Sequence, residues 1–417
     1  MGMVIPLKAK LGLGIIVGYA TYTAYISIRT NLEINRRSKL FGAKAERKSN
    51  VPLKFEVLNI GGRFENPFPE YRLQSLFEFV LSRILELFEG RSRGKLPKSN
   101  EVLRELLPVY KPNFQLLFNN SDSKESEFIK NLPPLCDRLT FTWLGQSCSY
   151  FQLSNISFLT DPIFEDYIIN KTIGPKRITP SPCKLNELPV PDFVMVSHNH
   201  PDHLEEASIK EIGNKSTWIV PLGLKKYLAR RGIYKTLEMS WWERQPIDIK
   251  NNNNNDKYEI VCLPALHWSG RYVYDSNSSL WCSFLILKNG KSIFYHAGDT
   301  GYSKELFKEI YKIYGPTKFS MLPIGQYCPQ WHQKSRHITP EEAVKIMDDM
   351  HSEKIVGVHW GTFILSSEWF LEPKVLFEKF ARDLNKQDDI LVPKFGETFC
   401  VDINSSSKNK EDIEIQK

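Results

Sequence analysis

Four residues of types that commonly bind metal ions lie close together in the stretch VMVSHNHPDHLEEAS, residues 194–208. They are His198, His200, Asp202 and His203, in a chain with only nine histidines among 417 residues. The stretch directly follows an apolar run that is typical of a buried strand. In the HxHxDH spacing, the two leading histidines can point to one side of a loop while Asp202 and His203 point to the other. The pattern therefore predicts that one short loop supplies ligands to two metal ions.

Three further residues of the same chemical types follow other predicted strands. His267 comes after YEIVCLP, Asp299 comes after SIFY, and His359 ends the strand predicted at 355–359 in IVGVHWG. Functional residues often lie just past the ends of strands, and such positions converge on one edge of a sheet. A single histidine after a strand is usually an ordinary core or surface residue, but the clustering favours ligands. Imidazole and carboxylate suit zinc, with iron and manganese as competitors.

Short apolar runs alternate with amphipathic stretches from Arg138 onward. LTFTWLGQSCSYFQLSNISFLTDPIF is typical of consecutive strands. Later strands are predicted near residues 192–197, 217–220, 258–263, 281–287, 292–295, 319–324 and 355–359. Helices are predicted near residues 204–213, 222–231, 303–313, 340–350 and 373–384. This alternation predicts an α/β or α+β sandwich.

The N-terminal segment is free of charge over residues 11–28, and basic residues flank it on both sides. Its 18 residues are at the short end of what crosses a bilayer. Three interpretations are open: a single membrane anchor, a cleaved targeting segment or a buried helix. The absence of acidic residues before Glu33 also suits mitochondrial import. The basic flanks leave the orientation of a spanning helix open.

We expect four segments along the chain. They are a membrane anchor or targeting segment (1–37), an N-terminal helical extension (38–135), a catalytic domain (136–403) and a disordered tail (404–417). Residues 73–88 show apolar steps of three and four, which predict an amphipathic helix that docks on the catalytic domain or on the membrane interface. A second helix is predicted at 99–107, and loops at 119–127 and 251–255.

The composition is that of an ordinary folded protein, with 41% hydrophobic and 25% charged residues. The net charge of +7 is spread over 55 basic and 48 acidic residues, a pattern that either mildly favours an anionic partner or reflects a slightly basic soluble surface. The seven cysteines are scattered and form no CxxC pair. They indicate neither a disulfide framework nor a cysteine zinc finger, and they are consistent with a reducing compartment.

The order of HNHPDH, His267, GDTG at 298–301 and HWG at 359–361 resembles the metallo-β-lactamase superfamily. That resemblance implies a four-layer αββα sandwich with a metal site at one sheet edge. A closer resemblance is to the phospholipase D family that hydrolyses N-acylphosphatidylethanolamine, in particular its fungal mitochondrial members. The motifs that carry it are GRFENPFPEY, TWLGQSC, LTDPIF, SHNHPDHL, AGDTGY, PIGQYCPQW, HITPEEA and HWGTF.

This resemblance implies two zinc ions, with other divalent metals as alternatives. The implied ligands are His198, His200 and His267 for one ion, Asp202, His203 and His359 for the other, and Asp299 as a bridge. It also implies that His337 belongs to the substrate pocket and that Asp161 is a carboxylate beside the metals. Catalytic roles would fall on Asp202, Asp299 and His337.

The expected contacts with substrate rest on fewer residues. Pro201 stands where mammalian members carry a tyrosine that touches the lipid, which leaves the acyl preference open. Tyr327 and Trp331 either line an acyl groove near His337 or belong to the core. His337 binds the substrate or helps to protonate the leaving group. The three other histidines, His296, His332 and His351, are expected to be structural.

The predicted reaction is hydrolysis of a phosphodiester by water activated between two ions about 3.5–4 Å apart. It would release an N-acylethanolamine and phosphatidic acid. The alternatives are another hydrolase on the same metal site, such as an RNase Z-like nuclease or a lactonase, and a non-catalytic membrane scaffold. The expected partners are a phospholipid substrate and a membrane, and no nucleic acid is expected. The expected location is the mitochondrial inner membrane. A homodimer is left open.

Overall fold

Two β-sheets form the body of the protein, in a computed structural model that describes residues 7–42, 55–72, 78, 81–82, 84–85, 88, 90–118, 132–172, 174–247, 256–272, 274–404 and 413–415. In spatial order, the first sheet contains β15 (Ile390–Leu391), β14 (Lys354–Val358), β13 (Phe319–Pro323), β12 (Lys291–His296), β11 (Ser283–Lys288), β10 (Tyr258–Leu263) and β9 (Arg244–Ile247). The second contains β17 (Ile413–Ile415), β16 (Thr398–Asp402), β3 (Arg138–Gly145), β4 (Cys148–Leu153), β5 (Ile156–Thr160), β6 (Phe193–Met195), β7 (Thr217–Pro221) and β8 (Thr236–Met239). A separate hairpin pairs β1 (Leu58–Ile60) with β2 (Arg63–Glu65).

Each sheet joins an antiparallel part to a parallel part. Strands β12 to β15 are parallel in the first sheet, and strands β5 to β8 are parallel in the second. Strand β10 runs in the same direction as β12, because both are antiparallel to β11. The C-terminal ends of these strands therefore share one edge of each sheet, and the predicted metal-binding residues follow directly after several of them.

Phenylalanines fill the space between the two sheets. Phe141 of β3 and Phe151 of β4 contact Phe294 of β12, with ring centroids 6.5 and 4.0 Å apart. Phe319 of β13 lies 5.4 Å from Phe141. All four rings are fully buried, so the sheets are held face to face by apolar packing.

Helices cover the outer faces of both sheets. The described helices are α1 (Leu7–Gly42), α2 (Asn100–Leu106), α3 (Phe114–Phe118), α4 (Glu206–Ile212), α5 (Leu224–Ala229), α6 (Lys304–Tyr314), α7 (Gln330–Gln333), α8 (Pro340–Asp349) and α9 (Glu372–Asp383). Helices α4 and α5 pack their apolar residues on the second sheet, whereas α8 and α9 contact the first. The predicted αββα sandwich is confirmed.

Several short strands escaped prediction. Strand β9 contains Pro246, a residue that cannot donate to a ladder and is confined to edge strands. The strands β8 and β15 are short edge or near-edge strands. Within the segment expected to be a disordered tail, Ile413–Ile415 pairs with β16, and its Ile-Glu-Ile alternation is a strand pattern.

Some of the predicted helices and loops lie wholly or partly outside the described residues. The helix predicted at 99–107 is α2, which begins after the N-cap Ser99. The loops predicted at 119–127 and 251–255 lie outside the described residues, and so does most of the helix predicted at 73–88.

Helix α1 is longer than the apolar segment that predicted it, and it exposes that segment. Its large apolar side chains, including Leu11, Ile15 and Ile16, face away from the protein. The buried-helix interpretation is therefore wrong. Over residues 10–37 the helix is long and apolar enough to cross a membrane, and near its middle Ile26 packs on Leu58 and Ile60 of the hairpin.

Gly298 lies where the two sheets approach each other, at the edge of the predicted ligands. Its φ is +59°, and a Cβ here would lie 2.6 Å from Cβ of Ser197, two residues past the end of β6. Because only glycine allows both this conformation and this approach, Gly298 sets the distance between Asp299 and the loop that carries His198.

Gly298→Ala should lower the free energy of unfolding by about 2–4 kcal/mol, because left-handed strain and steric overlap add. The matched control is Gly290→Ala, whose φ of +79° is similar but whose Cβ would meet nothing within 4 Å. Urea denaturation of both variants measures the difference. Equal losses in the two variants would contradict the close-approach explanation.

Candidate metal centre

The loop after β6 turns sharply, and its histidines are buried at the sheet edge. His198, His200 and His203 are all at most 9% exposed. The backbone N–H groups of His203 and Leu204 both donate to the carbonyl of His200. This tight turn projects side chains to both sides of the loop, as the HxHxDH spacing predicts.

Three histidine nitrogens form one donor group. Nε2 of His198 lies 2.7 Å from Nδ1 of His200, which lies 3.2 Å from Nε2 of His267. The other ring nitrogen of His267 is 3.0 Å from the carbonyl oxygen of Arg336. If that nitrogen carries the proton and donates to the carbonyl, Nε2 is left with a lone pair that faces the other two histidines.

A second donor group lies beside the first. Nε2 of His203 and Nε2 of His359 are 3.3 Å apart, and both lie within 3.6 Å of Oδ2 of Asp202. Asp299 follows β12 and His359 follows β14, so that side chains far apart in sequence meet here. Asp202, His203, Asp299 and His359 present donor atoms within 4.8 Å of one another.

Asp299 lies between the two groups. Its carboxylate oxygens are 3.2 Å from Nε2 of His203, 3.1 Å from Nε2 of His359 and 3.8 Å from Nε2 of His267. Imidazole and carboxylate donors at such separations suit divalent ions such as zinc. The residues that the sequence singled out as ligands therefore converge on two adjacent candidate metal positions.

Burial and charge give the two groups opposite protonation states. Burial lowers the pKa of His200 and of His267 to about 3, and it holds the pKa of His198 well below its usual range. Burial also opposes protonation of His359, yet Asp299 and Asp202 outweigh it and raise the pKa to about 9. The same carboxylates raise the pKa of His203 well above its usual range despite burial.

Asp161 holds the loop that carries His198, His200 and His203 through hydrogen bonds. Its carboxylate accepts hydrogen bonds from the backbone N–H and the hydroxyl of Ser197, at 2.7 and 2.8 Å. It also lies 2.9 Å from Nδ1 of His203 and 3.0 Å from Nε2 of His296. Burial alone would raise the pKa of Asp161, but the charges of His296 and His203 lower it. His296 is structural, as expected, and its role is to orient Asp161.

Gln146 is a residue of the site that the sequence reasoning did not assign. Its side-chain nitrogen lies 2.8 Å from Oδ2 of Asp202 and 2.8 Å from Nε2 of His359. Gln146, Asp161 and His359 each follow a strand and have φ values of 51°, 36° and 62°. Left-handed conformations of non-glycine residues cost about 1–3 kcal/mol each and cluster at functional sites. A polar residue in the TWLGQSC turn was the available signal.

His337 lies beside the two donor groups, and with His267 and Asp299 it forms a third set of possible metal ligands. Its Nδ1 is buried, is 3.8 Å from Oδ2 of Asp299 and has no hydrogen-bond partner among the described residues. Burial holds its pKa well below the usual range, so the ring is neutral at neutral pH. Thr339 and Glu342 form a capping box that begins α8 just after His337 and fixes its position.

The other residues that the sequence analysis named, three possible lipid contacts and two histidines, differ in how exposed they are. Pro201 is half-buried at the tip of the ligand loop. Tyr327 fits the core alternative, because it is buried and its hydroxyl donates to Glu372 at 2.7 Å. Trp331 is exposed at the surface, next to the buried His332. His351 is exposed and contacts the ring of Tyr311. Neither His332 nor His351 lies in the candidate metal groups.

Known proteins share sequence and structure with parts of this chain. A family described as "Beta-lactamase superfamily domain" matches residues 157–360. In structure, a metallo hydrolase from the archaeon Ignicoccus hospitalis is similar with a TM-score of 0.47 and 21% identity, over 63% of this chain and 98% of that one.

Two curated relatives match over most of both chains. The mitochondrial N-acyl-phosphatidylethanolamine-hydrolyzing phospholipase D of Saccharomyces cerevisiae is 43% identical over 94% of this chain and 87% of its own length. N-acyl-phosphatidylethanolamine-hydrolyzing phospholipase D 1 of Caenorhabditis elegans is 34% identical over 79% of this chain and 88% of its own length. The chain therefore belongs to the N-acyl-phosphatidylethanolamine-hydrolyzing phospholipase D family, within the metallo-β-lactamase superfamily.

Proposed function

We propose that this protein hydrolyses N-acylphosphatidylethanolamine to an N-acylethanolamine and phosphatidic acid, as a metal-dependent phosphodiesterase. The observation that carries the proposal is a pair of adjacent donor groups with Asp299 between them, in a chain 43% identical to the yeast enzyme of that name. Paired donor groups of this kind suit hydrolysis of a phosphodiester.

We propose that the centre binds two zinc ions. The ligands would be His198, His200 and His267 for one ion and Asp202, His203 and His359 for the other, with Asp299 shared. Support comes from the donor chemistry, imidazole and carboxylate only, and from the closeness of the donor atoms. When bound, such ions supply an activated water and stabilise negative charge on a phosphoryl group.

The protein's own residues position this chemistry. Asp161 holds the ring of His203 in one orientation through Nδ1, which leaves Nε2 facing the centre. Gln146 donates to Asp202 and thereby orients that carboxylate. Both residues would act by positioning, since each contacts proposed metal ligands.

We propose that His337 binds the substrate by a hydrogen bond from its neutral ring. The buried, unpartnered Nδ1 supports this role, and the lowered pKa argues against a protonated imidazole that would donate a proton to the leaving group. Pro201 and the exposed Trp331 remain proposed lipid contacts. For Tyr327 we propose the core alternative, because its hydroxyl already donates to Glu372.

We propose that α1 anchors the protein in the mitochondrial inner membrane. The exposed apolar helix supports an anchor, and the yeast relative is named as mitochondrial. In this proposal, residues 1–37 are the anchor, 38–135 an extension and 136–403 the catalytic domain. A substrate embedded in the same bilayer would then be within reach of the centre.

Purified full-length protein should release labelled N-acylethanolamine from N-acylphosphatidylethanolamine in mixed micelles. Activity should disappear with a chelator and return when zinc is added, because the donor groups need their ions. Chromatography of both products is the measurement. A metal-loaded protein that releases no N-acylethanolamine, but cleaves precursor RNA or a lactone, would establish one of the alternative hydrolases instead.

Asp161→Asn should weaken metal binding about 10- to 100-fold, the usual effect of removing a partner that orients a metal-binding histidine. The matched control is Asp192→Asn, because Asp192 also accepts hydrogen bonds from a serine but lies at the opposite end of β6. Competition with a chromophoric chelator measures both affinities. Unchanged affinity in Asp161→Asn would exclude the positioning role.

Metal binding should occur in two steps with different pH dependence. The group of His198, His200 and His267 is neutral at neutral pH and releases no proton. His203 and His359 hold protons that metal must displace, so affinity in the second step should rise with pH through the pKa of His359, about 9. Calorimetry at several pH values tests this; two steps with the same pH dependence would contradict it.

A further inference from the structure

Two tyrosines stand in solvent on a loop that begins at the metal centre. Tyr272 and Tyr274 are 49% and 75% exposed, and their rings stack with centroids 5.3 Å apart and planes 4° apart. Single exposed aromatic residues are ordinary. A stacked pair held out from the surface is a preformed apolar and amphipathic contact, of the kind that prefers a membrane interface.

Hydrogen bonds hold the described residues of this loop on both sides of the pair. The carboxylate of Asp275 accepts hydrogen bonds from the backbone N–H groups of Arg271 and Tyr272, at 2.9 and 2.8 Å. The guanidinium of Arg63 donates to the carbonyls of Tyr274 and Ser276. The tyrosines are therefore presented by a stabilised turn.

The same loop is part of the wall of the metal centre. Trp268 packs edge-on against His200, with ring centroids 4.2 Å apart. Arg271 donates to the carbonyls of Asn199 and Leu204, at 3.1 and 2.5 Å, on either side of the ligand loop. A surface that receives the tyrosine pair would therefore lie directly beside the centre.

The hairpin of β1 and β2 connects this loop to α1. The backbone N–H of Phe64 donates to the carbonyl of Asn277 at 2.9 Å. On the other strand, Leu58 and Ile60 pack on Ile26 of α1, and Arg37 donates to the carbonyl of Glu56 at 2.8 Å. Helix, hairpin and loop are thus joined by direct contacts.

The pattern along α1 sets the level of the membrane surface. From Lys10 to Arg29 the helix rises about 28 Å, close to the ~30 Å thickness of bilayer hydrocarbon. Tyr22 and Tyr25 are exposed near the end of this stretch, where aromatic residues mark an interface. The exposed Arg29 and Arg36 follow, as cationic residues do beside lipid head groups. Because Ile26 packs on the hairpin, the hairpin lies at the level of the membrane interface.

We propose that Tyr272 and Tyr274 form a second membrane contact, which enters the head-group region of the bilayer that holds α1. This contact orients the metal centre toward the lipid surface. A phospholipid can then reach the centre while most of the lipid stays in the bilayer. The inference rests on the proposed anchor and lipid substrate. It adds a specific surface of the folded domain and the partner that covers it.

The test uses full-length protein in phosphatidylcholine and phosphatidylglycerol vesicles, with a fluorophore on Tyr274→Cys in a Cys136→Ser, Cys328→Ser background. The matched control is Tyr234→Cys. Tyr234 is 74% exposed. It precedes β8 and therefore lies near the N-terminal ends of the parallel strands, whereas the metal centre lies at their C-terminal ends. Lipids with a head-group-level spin label should quench the probe at position 274 and leave the probe at position 234 unquenched.

A second measurement compares hydrolysis of long-chain lipid in vesicles with hydrolysis of a short-chain lipid dispersed in water. In Tyr272→Ser with Tyr274→Ser, the ratio of these activities should fall about tenfold, because two apolar contacts are lost only at the membrane. Tyr234→Ser should leave the ratio unchanged.

Three results would overturn the proposal. They are an unquenched probe at position 274, equal loss of both activities in the double variant, and cross-linking of two copies through position 274 in place of quenching. If the wild-type protein hydrolyses no lipid at all, the proposed function fails, while the quenching result still decides the membrane contact.

Discussion

The structure depends on burying a set of histidines and carboxylates that point at one another. Without a cation, three neutral imidazoles face each other at 2.7–3.2 Å, and the adjoining group needs protons on His203 and His359. Burying polar groups without partners costs free energy. A pair of divalent ions would satisfy these donors together, which explains why such a site can sit in a desolvated sheet edge.

The topology follows from this requirement. Parallel strands deliver their C-terminal ends to one edge, and the phenylalanine layer between the sheets fixes how far apart those ends lie. Gly298 then lets the end of β12 approach the loop after β6. Packing far from the centre therefore sets distances within it.

The sequence predicted those strands, helices and candidate ligands that have a local motif or a periodic apolar pattern. HxHxDH, and the positions of His267, Asp299 and His359 after apolar strands, sufficed to predict the candidate ligands. Gln146 and Ser197 could not be assigned, because their roles are tertiary hydrogen bonds to Asp202, His359 and Asp161 that no spacing encodes. Edge strands such as β9 were missed because pairing, and not composition, makes them strands.

The central claim is that one loop feeds two adjacent metal ions. Anomalous diffraction from crystals of the metal-loaded protein, measured on both sides of the zinc absorption edge, tests it most directly. The account predicts two zinc peaks about 3.5–4 Å apart, one beside His198, His200 and His267 and the other beside Asp202, His203 and His359. A single peak, or none, in protein purified without chelator would contradict it.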